Sequence, residues 1–91
     1  MQSMRVFHHN FLSSGTKTIS LNAKPHRILI KNLSSNDILF SWGTSISDTE
    51  YVIIPSQIAE LVEYDPIPHE DLDITIQATG TGIIEVRIID D

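Results

Sequence analysis

Four histidines, His8, His9, His26 and His69, are the first residues of this chain whose type could do chemistry. A protein metal centre takes three or more such ligands, often as His-x-His on one strand face. His8 and His9 are adjacent, so on a strand they point to opposite sides. His26 and His69 sit in loop-like surroundings. The spacing therefore predicts no metal centre, and no cofactor is implied. The acidic run Asp65, Glu70, Asp71 and Asp73 could gather oxygens around calcium, which wants about six to eight. Alternation places Asp71 and Asp73 on one exposed strand face, where carboxylates keep a small β domain soluble and discourage edge-to-edge pairing.

Nucleophilic chemistry finds no better footing. There are no cysteines, which excludes a thiolate nucleophile, a thiolate zinc site and a disulfide framework together. Ser13, Ser14, Ser34, Ser35, Ser45 and Ser47 lie in turn-like stretches, and none occupies a G-x-S-x-G turn. Gly80 and Gly82 fall between two strand-like runs, not between a strand and a helix, so they form no phosphate cradle. The expectation is a protein that binds and does not catalyse. Four aromatic residues are the candidate contacts: Phe7, Phe11, Tyr51 and Tyr64. Tyrosine suits a surface that becomes half-buried on association. Phe40 and Trp42 share a face with Ile38 and read as core.

These residues must be positioned by a small β domain. Ninety-one residues make one domain, too short for a deep cleft between two lobes. Leu72, Ile74, Ile76 and Ala78 alternate with Asp71, Asp73, Thr75 and Gln77, the period of a strand with one face in a core. Ile84, Val86 and Ile88 repeat it, and Thr79-Gly80-Thr81-Gly82 between the two runs predicts a hairpin. Further strands are expected over 27–33 and 38–42, over 51–54 up to Pro55, and over 18–21. Residues 57–64 fit a helical stripe or a strand, and their all-β surroundings favour the strand. Residues 65–70, with Pro66 and Pro68, must be a loop. The count reaches about seven or eight short strands. The expected fold is all-β, an antiparallel β-sandwich, with a jelly-roll variant among its arrangements.

Charge is split along the chain. Residues 1–31 hold Arg5, Lys17, Lys24, Arg27 and Lys31 and no acid, whereas residues 32–91 hold all 12 acids and only Arg87. Scattered cations in a chain of net charge −6 do not make a nucleic-acid footprint. The split would instead let copies meet head-to-tail through salt-sensitive contacts. No stretch approaches the roughly 20 apolar residues of a membrane span. Residues 1–11 lack the order of a secretory signal, so synthesis in the cytoplasm is expected. Residues 1–14 contain Val6, Phe7, Phe11 and Leu12 without sustained alternation, ahead of the joint Ser13-Ser14-Gly15. They are read as an arm or edge strand docking on a neighbouring subunit, with Phe7 and Phe11 as anchors. The other reading makes them the first strand of the domain's own sheet, and residues 15–91 then complete the sandwich.

One arrangement resembles a known group. Residues 27–33, Arg-Ile-Leu-Ile-Lys-Asn-Leu, run into Ser34-Ser35-Asn36-Asp37-Ile38 and on to Trp42-Gly43. Tyr51-Val52-Ile53-Ile54-Pro55-Ser56 follows, and Ile74 to Val86 closes the pattern. This resembles the small β-sandwich structural proteins of tailed bacteriophage particles, with Ser56 standing where that pattern has glycine. The resemblance implies capsid cement or decoration, or a head–tail or tail component. It implies capsid or tail protein subunits as partners, homo-oligomers, location in the virion, and no active site. The alternative is a receptor- or carbohydrate-binding sandwich using Trp42, Tyr51 and Tyr64.

Overall fold

The computed structural model describes residues 5–64 and 70–90. Eight strands follow one another: β1 Arg5–Phe11, β2 Gly15–Ser20, β3 Arg27–Asn32, β4 Ile38–Trp42, β5 Val52–Ile54, β6 Ala59–Glu63, β7 Asp73–Ala78 and β8 Gly82–Asp90. All pairings are antiparallel, and they build two four-stranded sheets. The front sheet runs β1-β8-β3-β6 and the back sheet β2-β7-β4-β5. This strand order is the jelly roll, in which one long antiparallel ribbon folds over on itself. No helix forms among the described residues, so the ambiguous stretch 57–64 resolves as β6.

Alternating residues from both sheets meet in one core. Ile28, Ile30, Ile84 and Val86 face it from the front, and Phe40, Ile54, Ile74 and Ile76 from the back, all fully buried. Burying side chains of this size contributes roughly 1.5–3 kcal/mol each before the entropy of ordering them.

The expected hairpin between the last two strands is not there. β7 lies in the back sheet and β8 in the front sheet, so residues 79–81 cross the sandwich. Three residues reach about 10 Å, which is the usual distance between packed sheets. Residues 12–14, 33–37 and 55–58 cross at the same end of the sandwich. That end is held by a polar hub. Asn32 is fully buried and its Nδ2 donates to the carbonyls of Asn36 at 2.8 Å and Ile54 at 3.0 Å. The Ser34 N–H and Oγ donate to Asn32 Oδ1 at 3.0 and 2.6 Å. Ser56 Oγ donates to the Ser34 carbonyl at 2.7 Å, and the Ser56 N–H donates to Asp37 Oδ1 at 3.2 Å. The left-handed backbone in this turn falls on Gln57, at φ 64, one place after Ser56. Ser56 therefore needs no glycine's freedom. Gly82 does: it has φ +152, and a Cβ there would lie 2.2 Å from the Ser34 Cβ.

The N-terminal segment is an edge strand of the chain's own front sheet, paired with β8 from Arg5↔Ile88 to Phe11↔Gly82. Phe11 is 3% exposed and belongs to the core, and Phe7 packs against it. Phe11 is therefore not free to anchor a neighbour, while Phe7 stays half-buried, because alternation turns both rings inward.

Candidate functional site

The outer face of the front sheet is where the chain's exposed apolar side chains collect. Strand register sets them in rows. Val6 lies opposite Arg87, Arg87 opposite Leu29, and Leu29 opposite Leu61. The next row reads His8, Glu85, Lys31 and Ala59. Beyond it Asn10 lies opposite Ile83, and the Leu33 N–H donates to the Ile83 carbonyl at 3.0 Å. Val6 is 43% exposed, Leu33 47%, Leu61 48%, Ile83 44% and Ile89 38%. Ile58 and Leu12 continue the apolar surface at the crossing end, both exposed. Single exposed apolar residues need no explanation, but several on one face, flanking the charged His8, Glu85 and Lys31 row, mark a candidate interaction surface.

A carboxylate sits in the middle of that face. Glu85 Oε1 lies 2.9 Å from His8 Nε2, and Glu85 Oε2 lies 2.6 Å from Arg87 Nε and 3.6 Å from Lys31 Nζ. Only 11% of the Glu85 side chain meets solvent. The hydrogen bond with His8, then that with Arg87, hold its carboxyl below the ordinary carboxylate range, and the charges of Arg87 and Lys31 add to this. Burial pushes the other way and is outweighed, because the cover consists of side chains on an open face. The acid is thus satisfied within the chain, and the face around it carries a surplus of cations on an acidic molecule. Behind this face His9 points inward opposite Ile84, where burial first and Lys17 second lower its pKa from the ordinary 6.5.

The other candidate residues are dispersed. Tyr51 is exposed at the end of the 43–51 loop. Tyr64 is half-buried and meets Trp42 edge-on at 5.2 Å, and Trp42 meets Phe40 the same way at 5.3 Å. Trp42, Tyr64, Ser47, Glu50 and Glu63 line a cleft of about 340 Å³ at the end of the sandwich away from the crossings. Tyr51 is not part of it. His69 and Asp65 lie outside the described residues. Of the remaining acidic run, Asp71 pairs with Lys24 at 3.3 Å. Among the described residues no group of three or more His, Cys, Asp and Glu could hold a metal ion.

Folding pairs part of the linear charge split within one molecule. β3 pairs with β6 and β8, so Lys31 meets Glu85, while Lys24 meets Asp71 and His26 comes to 3.8 Å from Glu63. Several cations of the first third are thus spent on acids of the remainder within one molecule. The front-face residues carried a signal of their own. Residues 28–30 and 83–84 are apolar at consecutive positions, as strands covered on both faces are. Compared with known proteins, the chain matches no family model, no curated protein and no solved structure.

Proposed function

We propose that the chain is a non-catalytic structural subunit that works by packing the outer face of its front sheet against neighbouring protein subunits. The resemblance of residues 27–89 to phage sandwich proteins implies capsid or tail subunits of a bacteriophage particle as those neighbours. There the chain would act as cement, decoration or connector, and its location is the virion. The observation that carries this reading is the set of exposed apolar side chains, Val6, Leu61, Ile83 and Leu33, on either side of an internally neutralised Glu85. Apolar area removed from water contributes about 25 cal/mol per Å². A carboxylate already bonded within the chain loses less on desolvation than a free one.

Particles banded by density are the test. Peptides of the chain are expected there at a fixed ratio to the main shell or tail protein, and a chain carrying Ile83→Lys is expected to be lost from them. Absence from the particles, or full retention of Ile83→Lys, would overturn the reading. A second reading rests on the Trp42–Tyr64 cleft, whose rings and carboxylates suit a carbohydrate or receptor loop. It requires saturable glycan binding that Trp42→Ala abolishes.

A further inference from the structure

We propose that copies of this chain add to one another edge to edge, the β1 edge of one copy pairing antiparallel with the β6 edge of the next. This deepens the assembly reading and rests on it, but it uses the backbone edges of the front sheet and not its outer face.

The pairing pattern shows which backbone groups are free for this. In an antiparallel ladder a residue turns both its N–H and its C=O to the same side. The Leu33 N–H donates to the Ile83 carbonyl, so odd-numbered residues of β3 and β8 bond to each other. Even-numbered residues of β8 then face β1, where Ile84 and Val86 have His9 and Phe7 as partners. Val6, His8 and Asn10 therefore turn their N–H and C=O groups away from the sheet. The Asn10 carbonyl agrees, since it accepts from Lys17 Nζ at 3.0 Å. On the far side the Asn32 N–H donates to the Ile58 carbonyl, so even-numbered residues of β3 bond to β6. Ala59, Leu61 and Glu63 turn their backbone groups outward.

The two edges match in direction, length and charge. Four alternating antiparallel strands leave β1 and β6 running oppositely, so a neighbour placed side by side without inversion offers an antiparallel partner. β1 has seven residues and β6 five, and neither contains proline. β1 carries Arg5 and the outward His8 and no acid, while β6 carries Glu60 and Glu63 and no base. Pairing β1 with a second β1 would oppose like with like. The back sheet cannot pair in this way, because β2 has six residues and β5 only three before Pro55. An unpaired edge of this length is a template for another strand unless guarded, and among the described residues Lys17 guards it at the Asn10 end.

Proline substitution at outward donors tests this without touching the chain's own ladders. His8→Pro removes the central β1 donor and Leu61→Pro the central β6 donor, as edge strands tolerate. In sedimentation of the full chain, wild type should grow past the dimer as concentration rises. Each proline variant alone should stay monomeric, and an equal mixture of the two should give a one-to-one dimer through the surviving edges. His8→Ala keeps the backbone donor and should still assemble. If a proline variant melts without cooperativity, Val6→Glu and Glu63→Lys replace the pair. Each should weaken assembly at least tenfold, and the double variant should recover it. A wild type monomeric near millimolar, a mixture that stays monomeric, or Leu61→Pro alone dimerising through β1 would each overturn the inference. Ile83→Lys separates the two proposals: it should leave edge assembly unchanged while removing particle binding.

Discussion

The two outer faces of this sandwich are built from the same alternation and end up chemically opposed. On the back sheet the outward positions are hydroxyls and amides, including Thr16, Thr18, Thr75 and Gln77. Thr75 Oγ1 donates to the Gly43 carbonyl at 2.9 Å and lies 3.1 Å from Thr18 Oγ1. Ser41 Oγ donates to the Glu50 carbonyl at 3.2 Å and accepts the Ser47 N–H at 3.0 Å. The 43–51 loop is thereby roofed over the back sheet, leaving Thr75 and Ser41 with at most 2% exposure. Apolar exposure on that side is confined to the β4–β5 corner around Ile53. The front sheet has no such roof among the described residues. One face is covered by its own chain, and the other stays open among the described residues.

Gly82→Ala should break the comparison most severely. Its Cβ would collide with Ser34, and β8 supplies both the core residues Ile84, Val86 and Ile88 and the centre of the front face. A loss of about 3 kcal/mol or more is expected in thermal or denaturant unfolding, from overpacking and backbone strain together. Thr75→Val should cost about 1–2 kcal/mol, because it removes a buried hydroxyl's bonds while keeping its shape. Amide exchange in residues 43–51 should rise with it. On the front face, Leu33→Ser or Ile83→Lys should change stability by no more than about 0.5 kcal/mol, as surface substitutions do. Their effect should fall on association with particles instead.

Acid should give the smallest effects. Because the folded state lowers the pKa of His9, its contribution to stability is present above the ordinary 6.5 and is lost as pH falls through the lowered value. His9→Gln should flatten a melting-temperature profile in that window. Glu85 behaves likewise below the ordinary 4.5, and Glu85→Gln should remove part of the acid-induced loss there.

Much of this architecture was legible in the sequence. The alternation at 72–78 and 84–88 fixes which side chains are buried, and the structure buries Ile74, Ile76, Ile84 and Val86 accordingly. It does not say which sheet each strand joins. A short glycine-containing link serves a crossing as well as a hairpin, and the choice is made by β1 pairing with β8 and β2 with β7, contacts distant in sequence. The same long-range pairing brought Lys24 and Lys31 to Asp71 and Glu85 and drew Phe11 into the core. The Asn32, Ser34 and Asp37 spacing was visible as a pattern, but its role as a hub depends on Ile54 and Ser56, which only the fold brings beside it. The front face was hidden because its apolar residues come from four strands and meet only through register.

Oxidative side-chain footprinting of the chain, free and bound in assembled particles, tests the central claim most directly. Binding through the front face should protect Leu33, Leu61, Ile83 and Ile89 and leave Tyr51 and Ile53 as reactive as in the free chain. Protection centred on Tyr51 and Ile53, with Leu33 and Ile83 unchanged, would contradict it.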